Sequence, residues 1–319
     1  MSTASTTPTS APADRSARRR STARPGDRVF STLSIGSGSL IFVVLALITL
    51  FLIVQSIPAI QHSSELGGGA DAVSLITYVG PLLFGTVLAA LLALLLAVPI
   101  AMGIALFISH FAPRRLAALL GSMIDLLAAV PSVVFGLWGG AVLVPMLDPF
   151  YRFLNTYVGW IPLFGGPVSS PMRSMASAAV VLAVMILPII TAVSREVFLQ
   201  VPRLQEEAAL ALGATRWEMI STVVIPFGKS GVVSASMLGL GRALGETMAV
   251  LMIMSPGTTY SPHILSVGLH NTIAANIAAQ APESIGVDMS RLIFTGLVLF
   301  VITFVINAVA RAVVGRKKG

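Results

Sequence analysis

The chain has 319 residues; 55% are apolar, 10% are charged, the formal net charge is +7 and there is no cysteine. Soluble domains carry about 25% charged residues, so this chain cannot face water over most of its surface and lipid must cover much of it. The lack of cysteine excludes disulfides, thiolate metal sites and thiol nucleophiles.

Residues 1–28 are rich in Ser, Thr, Pro, Ala and Arg and have no apolar period, which predicts disorder. They are not expected to be a cleavable signal peptide, because the first apolar stretch starts late and is long. Six uncharged stretches follow, at 29–64, 72–113, 126–147, 174–194, 247–282 and 292–310. A membrane-spanning helix needs roughly 20 mostly apolar residues, so each can hold at least one. The predicted spans are 33–58, 80–110, 117–146, 175–199, 229–256 and 289–313. The stretch 72–113 is long enough for two, but from Pro81 to Phe111 it has no polar turn. Pro99 and Gly103 can bend a membrane helix without ending it. One long bent helix is predicted there, after a short interfacial segment at 72–80. Outer connections fall at 61–79, 148–172 and 257–287, the second carrying Tyr157 and Trp160 as interfacial anchors. The only sizeable inner loop is at about 200–228. The fold class is therefore an all-α integral membrane protein with about six transmembrane helices. Its organisation is a basic cytoplasmic tail at 1–32 and a transmembrane domain at 33–319.

Charge placement agrees with six spans. With the N-terminus in the cytoplasm, 16 of the 20 Lys and Arg residues face the cytoplasm, Arg311 and Lys317 of the C-terminal tail among them. Arg152, Arg173 and Arg291 fall outside, and Arg242 lies within a span. This is the positive-inside asymmetry, whereas seven spans would place the basic C-terminus outside. The positive charge thus reports orientation and attraction to anionic lipid, and no nucleic-acid partner is expected.

The inner loop reads PRLQEEAALALGATRWEMISTVVIPFG over 202–228. It is too polar for a span and too regular for a linker. Pro202 opens it, and Glu206 and Glu207 sit in a first turn, where carboxylates favour a helix N-terminus. Gly213 ends the helix in a left-handed cap, a second helix starts near Thr215, and Pro226 leads into the next span. Ala208, Ala209 and Ala211 permit close packing into a groove, and Glu207 offers a carboxylate to a basic partner. From pattern alone, a docking element and an amphipathic helix lying on the membrane surface remain equal alternatives.

The spacing Glu207-Ala208-Ala209, three residues, Gly213, nine residues, Val223-Val224-Ile225-Pro226 resembles the EAA loop of permease subunits in bacterial ATP-binding-cassette importers. Val223 stands for the usual Ile and Ile225 for Leu. The resemblance implies a type I importer transmembrane domain of the methionine-permease kind. It also implies that Glu206, Glu207, Ala208, Ala209 and Gly213 form a coupling helix seated in a separate ATPase subunit.

In the fifth predicted span, MLGLGRALGETMAV over 237–250 places Arg242 and Glu246 at i and i+4, on one helix face where they can pair. An ionisable residue in a span is costly and is a functional candidate by default. One reading is an ion pair that fixes helix register. The other is a polar patch on an anion route, where the Arg242 guanidinium matches phosphate oxygens and Glu246 holds it. Gly239, Gly241 and Gly245 thin the same helix. The segment GRALGETMAV, together with 81–109 and 125–140, resembles permease subunits of phosphate importers, with Asp125 where that family often has Glu. The resemblance covers roughly residues 80–315.

It implies four partners besides membrane lipid: a homologous permease, an ATPase dimer, an extracytoplasmic phosphate-binding protein and phosphate itself. It implies residence in the bacterial cell membrane with both termini in the cytoplasm. Another oxyanion (sulfate or molybdate) and, further off, a stand-alone carrier are the alternatives. Asp125 is expected to be an interfacial cap or helix contact. His110, His263 and His270 have no metal partner at ligand spacing. The chain has no P-loop, GxSxG or HExxH pattern, so no catalytic residue, metal site or cofactor is expected, and ATP hydrolysis is assigned to a partner.

Overall fold

The computed structural model describes residues 25–61 and 74–315. Residues 1–24 of the tail predicted to be disordered lie outside the described residues, as does much of the first outer connection, whereas residues 25–32 are helical and correct that part of the expectation.

Among the described residues the chain is helical throughout its regular structure. The helices are α1 (Pro25–Gln61), α2 (Leu75–Leu106), α3 (Arg114–Ala128), α4 (Ser132–Trp138), α5 (Val144–Val158) and α6 (Met175–Leu199). They continue as α7 (Arg203–Ala211), α8 (Arg216–Met219), α9 (Ile225–Leu244), α10 (Met248–Ile253), α11 (Ile273–Gln280) and α12 (Val287–Gly315). Six rods are long and apolar enough to cross a membrane: 29–61, 75–111, 132–158, 175–199, 216–244 and 287–312. The chain forms two units, Met1–Phe51 and Leu52–Gly319. The described part of the first is most of α1, which exposes Phe30, Leu40 and Phe42. A helix apolar all round is a membrane span or a core helix.

The core of the second unit is centred on α6, whose Met185, Ile186 and Ile190 are buried. Ala89, Ala93, Ala97, Ala101 and Ala105 recur every four residues along α2 and are all buried. That spacing makes one helix face, and its short side chains let α2 approach α6 closely. Lipid gives helices no hydrophobic drive to associate, so close packing supplies the attraction. Ala235, Leu240 and Ala243 add α9 to the same core.

Three π-turns recur with one spacing relative to proline. They are Phe107–Phe111, Gly139–Leu143 and Ile220–Val224, and each ends two residues before Pro113, Pro145 or Pro226. In each, the residue before proline donates its N–H to a carbonyl five residues back: Ala112 to Phe107, Val144 to Gly139 and Ile225 to Ile220. Proline lacks an N–H and its ring crowds the carbonyl four residues earlier. A widened turn moves that carbonyl away. Pro145 and Pro226 therefore lie within continuous rods, and Pro226 does not begin the fifth span as predicted.

Two predicted spans are corrected. The third was expected at 117–146 as one helix. Instead α3 ends at Ala128, and the span runs 132–158 from Pro131, which caps α4 with φ −60° and ψ 140°. Proline disfavours helical geometry in the residue before it, which breaks the rod. α3 is amphipathic, with Gly121 and Ile124 buried. The fifth was expected at 229–256. It runs 216–244 and stops at Gly245, and α10 restarts at Met248. Of the segment expected at 72–80, residues 75–80 are the first turn and a half of α2, capped by Ser74, and 72–73 lie outside the described residues. On the last connection, Asn276 donates to the Tyr78 hydroxyl at 2.7 Å and Tyr78 donates to Gln280 at 2.8 Å, which fastens α11 to α2.

Candidate functional site

The loop 202–228 folds as helix–turn–helix. Gly213 has φ +88° and nothing within 4 Å of where a Cβ would sit. Its N–H donates to the Leu210 carbonyl at 3.0 Å and the Ala214 N–H donates to the Ala209 carbonyl at 3.2 Å. These two bonds satisfy the last carbonyls of α7 in a Schellman cap. The next helix starts with a capping box: Thr215 Oγ1 accepts from the Glu218 N–H at 3.3 Å, and Glu218 Oε2 accepts from the Thr215 N–H at 2.7 Å. Gly213 and Thr215 thus stand where the sequence placed them.

The faces of α7 differ. Ala209 packs against the cluster of Phe198, Val201 and Met219. Glu206 Oε1 lies 3.5 Å from His110 Nε2, at the end of the second span, which ties α7 to that span. Glu207 and Ala208 are exposed. Leu204, Leu212 and Trp217 are exposed around them, Leu212 by 90%. Large apolar side chains gathered on a polar loop mark a contact surface. Nearby, Arg195 bridges Glu196 at 2.9 Å and Asp125 at 3.9 Å, so Asp125 is the helix contact expected of it.

A cavity of about 940 Å³ opens between α6, α9 and α12. Arg242 and Ser234 line it from α9, Asn307 and Arg311 from α12, and Ile189, Met237 and Leu238 supply apolar wall. The predicted Arg242–Glu246 pairing is not formed: no ion pair among the described residues joins them. The helix ends between the two residues, so they no longer share a face. Glu246 is 8% exposed and its Oε1 accepts the Ala249 N–H at 3.1 Å. It caps α10 and does not line the cavity. Arg242 Nε is buried with no hydrogen-bond partner.

The sequence does not single out Asn307 and Arg311 as cavity residues, because an arginine at the end of a span also reads as a tail charge that sets orientation. The usable signal was their i, i+4 spacing in the last span, which places both on one face. Of the histidines, His270 is buried and His263 lies beside Ser261, whose Oγ is 2.8 Å from its Nδ1. No group of three His, Cys, Asp or Glu that could hold a metal exists among the described residues.

Residues 97–319 match the family described as binding-protein-dependent transport system inner membrane component. The chain is 46% identical over 304 residues to the phosphate transport system permease protein PstC 2 of Mycobacterium tuberculosis, covering 92% of this chain and 94% of that one. It is 43% identical to the PstC permease of Mycobacterium leprae over 83% of this chain and 86% of that one. The fold resembles the crystal structure of a bacterial ABC transporter involved in the import of the acidic polysaccharide alginate. The TM-score is 0.53 at 16% identity, over 91% of this chain and 99% of that one. The chain belongs to the binding-protein-dependent transport system inner membrane components and, among them, to the PstC permeases.

Proposed function

We propose that this chain is a transmembrane permease subunit of an ATP-driven phosphate importer. The observation that carries the reading is the likeness to permeases named for phosphate transport, at 46% identity over 92% of the chain. It works beside a homologous PstA-like permease, with a PstB-like ATPase dimer docked on the cytoplasmic side and a PstS-like phosphate-binding protein on the outer side. Both termini face the cytoplasm, in keeping with the distribution of Lys and Arg.

The exposed Glu207, Ala208, Leu204 and Leu212 seat α7 in a cleft of the ATPase subunit. Gly213 sets the angle between α7 and the fifth span, so movement of the docked helix reaches Arg242 along one rod. ATP binding closes the ATPase dimer, draws the coupling helices together and opens the spans outward. Phosphate leaves the binding protein for the cavity, where Arg242 offers it an unpaired guanidinium in a place with no lining carboxylate among the described residues. Glu246 serves the path as a positioning residue, fixing the break between α9 and α10 next to Arg242. ATP hydrolysis in the partner resets the inward-open state.

The test is labelled-phosphate uptake in cells stripped of their own phosphate importers, expressing the assembly in the presence of excess sulfate or molybdate. Uptake indifferent to both supports phosphate. Competition by either would move the substrate to that anion.

A further inference from the structure

We infer that Arg311 and Asn307 of α12 form a second anion-holding station in the cavity that Arg242 lines, so that phosphate passes between two guanidinium groups. This inference rests on the proposed function.

The charge pattern points to it first. Arg242 and Arg311 line one cavity of about 940 Å³, and among the described residues no Asp or Glu does. Neither arginine has an ion-pair partner among the described residues, and Arg242 Nε is buried and unbonded. Two unpaired cations around one concavity repel each other when it is empty and both gain when an oxyanion enters.

The hydrogen-bonding groups point the same way. Asn307 shares the Arg311 face of α12, and its amide brings two N–H donors. The Ser234 hydroxyl is already committed as a donor to the Ser230 carbonyl at 2.9 Å. Its oxygen remains as an acceptor, which a P–OH group can use and a fully ionised sulfate cannot.

The order of the stations follows from topology. α9 and α12 belong to consecutive spans and cross in opposite senses, so Arg311, near the end of α12, falls toward Ser234. Arg242 lies eight residues further along α9, about 12 Å of helix rise. Two sites of moderate strength at that separation hold an anion without trapping it.

The chain has no cysteine, so Arg311→Cys gives the subunit a single thiol. The experiment is ATP-driven transport of inorganic phosphate by the assembled complex in proteoliposomes, with wild-type assembly treated identically to subtract the partners' response. Arg311→Cys is expected to lower transport about tenfold or more, the size of one charged hydrogen bond, at unchanged assembly yield. A methanethiosulfonate carrying an ammonium group is expected to restore most of it, and one carrying a sulfonate to restore none. Orientation is set during insertion, so a residue that only anchors topology cannot be rescued after assembly. Full transport by Arg311→Cys, equal rescue by both reagents, or a loss that tracks assembly yield would overturn the inference while leaving the phosphate reading in place. Absence of phosphate transport by the wild type would overturn that reading, and the inference with it.

Discussion

The Glu246 carboxylate accepts the backbone N–H of Ala249 at 3.1 Å, across the break between α9 and α10. The first turn of a helix has N–H groups without intrahelical partners, and a buried carboxylate at that end satisfies one and matches the local positive dipole. Glu246 is thus held by the backbone, and Arg242 is left unpaired beside the cavity.

Glu246→Ala should therefore cost about 1–3 kcal/mol, the usual penalty for leaving a buried donor without its acceptor. Glu246→Gln should cost less, because its amide oxygen still accepts. Thermal unfolding of the purified assembly reads the difference. Equal losses in the two variants would show that the charge, and not the cap, is what Glu246 supplies.

The two glutamates of the coupling loop should separate. Glu207 is exposed and Glu206 is turned toward His110 at 3.5 Å. Glu207→Arg should weaken retention of the ATPase subunit and reduce uptake strongly while the permease still reaches the membrane. Glu206→Gln should leave ATPase retention near wild type, since a partly exposed pair is worth about 0–1 kcal/mol. Co-purification of the ATPase with each variant decides it, and an equal effect of both would contradict the assignment.

Gly213→Ala should cost about 1–2 kcal/mol, the penalty of a left-handed conformation for a residue with a Cβ. Nothing stands within 4 Å of the added carbon, so the whole cost is conformational. Asn tolerates that conformation better than other side chains, and Gly213→Asn should recover part of the loss. ATP hydrolysis that is no longer stimulated by phosphate-loaded binding protein is the expected signature of Gly213→Ala. Equal coupling in both variants and wild type would show that the cap angle does not matter.

His270 should make the outer connection sensitive to acid. It is buried, its Nε2–H donates to the Ser261 carbonyl at 2.8 Å, and its Nδ1 is buried without a partner. Burial holds its pKa below the usual imidazole value of 6.5, the Ser261 carbonyl opposes this, and His263 nearby adds to the lowering. The unfolded chain then takes up a proton before the folded one does. The stabilisation is fully present above about pH 6.5 and is lost as pH falls from there toward the folded pKa. Protection of the amides over 254–272, expressed relative to their intrinsic exchange rates at each pH, should be high at about pH 8 and lower near pH 5.5, and His270→Gln should flatten the dependence. An unchanged pH profile in that variant would exclude His270 as its source.

Much of this architecture was legible beforehand. Six spans follow from charge-free length, and Gly213 and Thr215 announce their caps by residue type. What was not legible depends on single backbone bonds. Hydropathy averaged over a span does not register that Pro131 divides α3 from α4. Nor does it register that Gly245 and a capping Glu246 end α9 inside an apolar run. The i, i+4 rule that paired Arg242 with Glu246 assumed an unbroken helix. The π-turns before Pro113, Pro145 and Pro226 have no pattern of their own beyond the proline. Arg311 was hidden because a cation at a span end also satisfies the orientation rule.

The most direct test of the central claim, that this chain conducts phosphate only as part of an ATP-driven assembly, is phosphate uptake with the chain expressed alone and with its permease, ATPase and binding-protein partners. The account predicts no uptake from the chain alone, uptake with all partners, and loss of that uptake when Glu207→Arg prevents the ATPase from docking. Uptake by the chain alone that collapses with an ionophore and ignores the ATPase would contradict it and identify an ion-driven carrier.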